Sequence, residues 1–173
     1  MEKAKFEEYL WEYAYLFLVA GVVVALDQAS KLWVRSVLEI SETWEPLPIL
    51  ADYVALIHTW NTGMALGALK GTNGLFLALG EIICIVILFV YPFLTRKKGY
   101  LTIGLGMGLI LGGALGNLID RLMVGYVTDI FLVSFLPVFN IADLALVFGA
   151  ILLTLSLFFE KNKAGTIPGG GSG

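Results

Sequence analysis

Four charge-poor apolar stretches, separated by short polar clusters, carry most of this chain. Each is close to the roughly 20 residues that a helix needs to cross about 30 Å of hydrocarbon. The uncharged run between Glu12 and Asp27 predicts a first span at about 12–31. Thr72 to Thr95, interrupted by Glu81, predicts a second, Leu101 to Ile119 a third, and about 143–159 a fourth. The polar segments left between them are long loops at 32–71 and 120–142 and a tight turn at 96–100. The expectation is a mainly α membrane protein, one four-helix domain over 1–164, followed by a flexible tail, 165–173, that ends GGGSG. The leader Met1 to Glu12 is acidic and no small-residue cleavage site follows the first apolar run, so a cleaved signal peptide is not expected.

The first long loop has structure signals of its own. Ser41 to Pro48 is rich in turn formers, and Tyr53 to Trp60 is rich in the β-branched and aromatic residues that suit a strand. A second extended piece, Tyr126 to Val133, is placed to pair with it, which predicts a small outward-facing β platform at the membrane surface.

Composition sharpens the class. The 173 residues are 58% hydrophobic and 14% charged, with mean hydropathy +0.87. Soluble domains run at about 45–50% apolar and about 25% charged, so the chain is an integral membrane protein. Arg96, Lys97 and Lys98 crowd the turn after the second span, whereas Arg121 stands against Asp120 and Asp129 after the third. Basic short loops stay in the cytoplasm. Both termini are therefore expected in the cytoplasm, with loops 32–71 and 120–142 outside. Trp11, Tyr13, Tyr15, Trp33, Trp44 and Tyr91 fall near the expected interfaces.

In the third span Gly104, Gly108, Gly112 and Gly116 recur every four residues, with Gly106 and Gly113 beside them. Spacing of four puts them on one face, where a second helix can approach closely. One further step reaches Asp120, and Arg121 is placed to hold that carboxylate in a charge-assisted hydrogen bond. Asp27 and Lys31 form an i,i+4 pair that reads as a structural salt bridge. Asp129 stands in the apolar run YVTDIF, and Asp143 opens the fourth span in FNIADLALV, where an aspartate is often only a helix cap. Together with Asn61, Asn117 and Asn140 they make a candidate site. Two neighbouring carboxylates do not both ionise easily, so one keeps a proton while the other accepts one from water, the division of labour of an aspartyl hydrolase.

The motifs DQASK (Asp27 to Lys31), NTG (Asn61 to Gly63), GGALGNLIDR (Gly112 to Arg121), VTD (Val127 to Asp129) and FNIAD (Phe139 to Asp143) closely resemble those of bacterial lipoprotein signal peptidase, signal peptidase II. They occur in family order across about residues 22–160. The resemblance implies a four-helix aspartyl endopeptidase of the bacterial inner membrane, active toward its outer face. It would remove signal peptides from diacylglyceryl-modified prolipoproteins, cutting before the lipidated cysteine. It implies Asp129 and Asp143 as the catalytic pair, and Asn61, Gly63, Asn117, Arg121 and Asn140 as substrate-binding or site-organising residues. Asp27, Lys31 and Asp120 take supporting roles. The implied partners are the prolipoprotein and membrane lipids, with no nucleic acid, and the implied state is a monomer. The chain departs from the family pattern at Met64, Leu66 and Ile130, and the segment from Asp129 to Asp143 is short for the family.

Other residues carry alternatives. Glu81, inside the second span, motivates a small ion- or proton-coupled transporter using Glu81 with the aspartates. A structural adaptor assembled through the glycine ladder is a third reading, but it leaves the aspartates unexplained. His58 beside the expected strand reads as a solvated or platform residue, and Cys84, the single cysteine, as a buried small hydrophobe. There is no cysteine or histidine pair at ligand spacing, so neither a metal nor another cofactor is expected.

Overall fold

In the computed structural model, residues 2–61, 73–95 and 100–165 are described. Four long helices, α1 (Glu2–Val37), α2 (Asn73–Thr95), α3 (Tyr100–Met123) and α4 (Ile141–Gly165), are joined at one end by strands β1 (Thr43–Trp44), β2 (Val54–Asn61) and β3 (Val127–Val133). All four helices contain a stretch long and apolar enough to cross a membrane. The first helix overruns its expected span at both ends, because neither a proline nor a glycine interrupts it where the charges begin. Its last turns therefore stand in what the sequence assigned to loop 32–71.

The glycine ladder explains the packing. Added Cβ atoms at Gly108 and Gly112 would stand 2.8 Å and 2.6 Å from the side chains of Val19 and Val23 on α1. On the opposite flank, one at Gly113 would stand 2.5 Å from the carbonyl oxygen of Ala142 on α4. With hydrogen in place of a side chain, α3 sits backbone-close to both neighbours and forms the centre of the bundle. Leu16, Ala20, Ile87, Tyr91, Ile103, Met107 and Leu111 fill the core toward the far end. Tyr91 is fully buried there and donates its hydroxyl to the carbonyl of Glu12 at 2.8 Å, so it is a core residue and not the interface anchor that its position near a span end predicted. Cys84 is half-buried and packs against this cluster.

The strands form one antiparallel sheet of order β1-β2-β3. The two strands read from sequence are present with shifts of a residue, while β1, only two residues long, was not anticipated. Gly125, at φ +83°, makes the turn from α3 into β3, a backbone conformation that side chains resist. From Val127 to Ile130 every residue of β3 is buried, which wedges this strand between β2 and the helices. That wedge holds Asp129.

Candidate active site

Asp129 and Asp143 are brought together by Asn140. The asparagine donates its side-chain amide to Asp129 Oδ1 at 2.9 Å and its backbone amide to Asp143 Oδ2 at 3.2 Å. Asp143 N in turn donates to Asn140 Oδ1 at 3.0 Å. This reciprocal pair is a capping box at the start of α4, an arrangement in which residues three apart satisfy one another's orphan amides. The cap reading of Asp143 is therefore correct, and it leaves Asp143 Oδ1 facing Asn117, whose Nδ2 donates to it at 2.9 Å.

Asp129 takes a second amide from Asn61 Nδ2, which reaches Oδ2 at 3.2 Å. The register makes this possible: Asn61 lies opposite Val127, diagonal to Asp129 on the same face of the sheet. Burial first, and then the charge of Asp143, raise the Asp129 carboxyl from 3.8 to about 6, against the lowering effect of the two amides and Lys31. Asp129 is 3% exposed, whereas Asp143 is half-buried. When the pair holds one proton, the drier carboxyl is the one that keeps it.

Behind the pair lies a buried charge network. Lys31 Nζ contacts Asp27 Oδ2 at 2.7 Å, Asp120 Oδ2 at 3.2 Å and Asn117 Oδ1 at 3.1 Å, matching its three protons. Asp27, Lys31 and Asp120 are all fully buried, a placement tolerated only when charges are paired and hydrogen-bonded. Asp27 Oδ1 also accepts from the backbone amide of Ala142 at 2.9 Å, pinning the first turn of α4 to α1. The i,i+4 pair read from sequence is present and does more than brace one helix.

Three side chains depart from their sequence readings. Arg121 does not hold Asp120. Adjacent helical residues point about 100° apart, so Asp120 faces α1 while Arg121 donates to Asn117 O at 3.2 Å and stands 5.6 Å from the ring of Phe76. Its buried Nε has no hydrogen-bond partner among the described residues. Asp120 pairs with Arg35 at 2.7 Å instead. Arg35 was not singled out from sequence, nor were Gln28, which donates to Gly116 O at 3.1 Å, and Thr128, whose amide donates to Asp120 Oδ2 at 2.9 Å. Arg35 falls four residues after Lys31, a spacing that was legible. His58 belongs to the platform but is buried; its Nδ1–H donates to Leu38 O at 2.8 Å.

Gly63, Met64 and Leu66 lie outside the described residues, as does the tail from 166. Ile130 is buried in β3. Glu81 is exposed on α2.

Fold and site define a multi-pass membrane protein with an acidic pair clamped by asparagines at one end of its helices. The family model for signal peptidase (SPase) II matches residues 19–159. The lipoprotein signal peptidase of Halothermothrix orenii is 41% identical over 150 residues, covering 87% of this chain and 99% of the relative. That of Moorella thermoacetica is 38% identical over 151 residues, covering 87% and 97%. A bacterial membrane enzyme solved by the in meso method at 2.3 Å resolution superposes with TM-score 0.75 at 28% identity, covering 91% of this chain and 94% of that one. The chain belongs to the signal peptidase II family and is a bacterial multi-pass membrane protease. The transporter reading of Glu81 finds no support in these relationships.

Proposed function

We propose that this protease is an aspartyl endopeptidase that removes signal peptides from diacylglyceryl-modified prolipoproteins, cutting immediately before the lipidated cysteine. The observation that carries this reading is the bridging of Asp129 and Asp143 by a single asparagine. Asp143, the more solvated carboxylate, takes a proton from water as that water attacks the scissile carbonyl carbon. Asp129, the drier acid, donates its proton to the carbonyl oxygen. Collapse of the tetrahedral intermediate breaks the C–N bond as Asp143 passes the proton it took from water to the leaving amine and a hydroxyl of the intermediate returns a proton to Asp129. Arg121 supplies a positive charge felt by both carboxylates and, in its Nε–H, a donor without a partner among the described residues that is suited to a substrate carbonyl. Asn61, Asn117 and Asn140 set the directions of the carboxylates, and Gly63 lies in the motif that follows Asn61.

The orientation rests on Arg96, Lys97 and Lys98, which in sequence follow the last residue of α2, Thr95, since basic residues in short loops stay in the cytoplasm, whereas Asp120 lies near the other end of α3. In this reading both termini are cytoplasmic, the site opens at the outer face of the inner membrane, and a monomer meets its lipidated substrate within the bilayer. The test is a gel-shift cleavage assay with purified protein and a diacylglyceryl-modified prolipoprotein, beside Asp129→Asn and a non-lipidated substrate. Cleavage of the lipidated substrate alone, lost in the variant, is expected. Equal cleavage of both substrates would overturn the substrate class, and activity in Asp129→Asn the catalytic type.

A further inference from the structure

We propose that Arg35 is a positioning residue of this protease, fastening the strand that carries Asp129 to α1; the inference rests on Asp129 being catalytic. Arg35 lies one turn beyond Lys31 and two beyond Asp27 on the same face of α1. Its guanidinium is used as a fork. Nη2 meets Asp120 Oδ1 at 2.7 Å, and Nε and Nη2 together meet Thr128 Oγ1 at 2.8 Å and 2.5 Å. Thr128 is the residue immediately before Asp129, and all its polar atoms outside the strand ladder are taken by this network. Its amide donates to Asp120 Oδ2 at 2.9 Å, its hydroxyl accepts from Arg35, and its carbonyl accepts from Asn140 Nδ2 at 3.2 Å.

The register adds weight to the assignment. The β2–β3 pairing shifts between Leu56 and Thr59, beside Asp129, so the ladder alone holds the strand less uniformly here than at its ends. A side-chain clamp from the helical body supplies what the irregular ladder does not. Arg35 is not placed against the dyad: its partners are Asp120 and Thr128, and its partly exposed side borders a polar cleft of about 210 Å³ with Ser36, Leu38, Glu39 and His58. It acts through strand position, and a carboxyl displaced by about 1 Å can cost a hundredfold in rate.

A planar fork is the feature that a lysine cannot copy. One ammonium could take the place of Nη2 between Asp120 and Thr128 but would lose the second, in-plane contact from Nε that fixes the direction of the grip. Parent, Arg35→Met, Arg35→Lys, Thr128→Val and the Arg35→Met/Thr128→Val double variant are compared in detergent with lipidated prolipoprotein, together with melting temperature and hydrogen exchange of residues 127–133 without substrate. Arg35→Met and Thr128→Val should each lower kcat by about tenfold to a hundredfold, with KM within about twofold, and the double variant should be no worse than the weaker single. Arg35→Lys should melt near the parent, exchange faster over 127–133, and recover only a minor part of kcat. The proposal is overturned by parental kcat in Arg35→Met, by losses that multiply in the double variant, by full rescue with lysine, or by unchanged exchange over β3. If exchange quickens but the parent itself cleaves nothing, the anchor stands and the protease reading of the substrate falls.

Discussion

Lys31 Nζ lies 3.1 Å from Asn117 Oδ1, and this contact decides which way the Asn117 amide faces. With Lys31 and Asn140 Nδ2 both donating to its oxygen, Asn117 turns its NH₂ toward Asp143. An ion pair on α1 thus sets the polarity of a hydrogen bond to a carboxylate on α4.

Lys31→Met removes that orientation and leaves Asp27 in the interior without its cation, while Asp120 keeps Arg35. Loss of one partner from a buried ionic cluster costs about 3–5 kcal/mol. Thermal unfolding in detergent should show a large drop in melting temperature, and adding Asp27→Asn should return part of it. A variant as stable as the parent would mean that the cluster is hydrated and not dry.

Asp129→Asn and Asp143→Asn keep the shape of each side chain while removing its acid–base chemistry. Each should lower turnover by about a hundredfold to ten-thousandfold in a protein that still folds, with a modestly lower melting temperature because the new NH₂ faces an amide donor. Residual cleavage near the parental rate in either single variant would end the assignment of that carboxyl.

The pH dependence has a definite sign. The Asp129 carboxyl is raised from 3.8 to about 6, so between those values the folded protein holds a proton that the unfolded chain has released. Stability therefore falls as pH rises through that window and is level above it. If Asp129 is the acid, kcat/KM of the free enzyme declines above about pH 6 as the pair loses its last proton. Asn61 stabilises the carboxylate, so Asn61→Ala should move this alkaline limb to higher pH, and a pH–rate profile reads it directly. A limb that stays put or moves down would contradict the acid role.

Two glycine substitutions separate close approach from helix propensity. A Cβ at Gly113 would meet the Ala142 carbonyl oxygen at 2.5 Å, and backbone cannot swing aside. Gly113→Ala should cost about 1–3 kcal/mol and reduce cleavage, because α4 carries Asp143. Nothing lies within 4 Å of a Cβ at Gly21 on α1, so Gly21→Ala should be neutral or stabilising by up to about 1 kcal/mol. Melting temperatures of the two variants give the comparison.

Much of this architecture was readable because membranes make polar residues conspicuous. Asp129 and Asp143 stood out as acids inside apolar runs, and Asn140 with Asp143 carries the three-residue spacing of a capping box. Arg35 escaped because the first span was closed at the thickness of a bilayer, while α1 runs on to Val37 and carries a further cation of the network with it. Arg121 was assigned to Asp120 on adjacency in sequence, where facing decides: Asp120 looks at α1 and Arg121 does not. The strand β1 has too few residues to leave a pattern, and Tyr91 shows that an aromatic near a span end can as readily serve the core.

The two bare flanks of α3 carry a last implication. A one-residue shift of α3 in one direction would bring Leu111 to the place of Gly112 against α1, and in the other Ala114 to the place of Gly113 against α4, each a place where only a hydrogen fits. The vertical alignment of the three helices is indexed by these contacts, and Asn117 and Asp143 inherit it from their helices. The molecule is in this sense a depth gauge: helix backbones in contact fix the height of Asp143, and β3, anchored to those helices through Thr128, brings Asp129 to the same level.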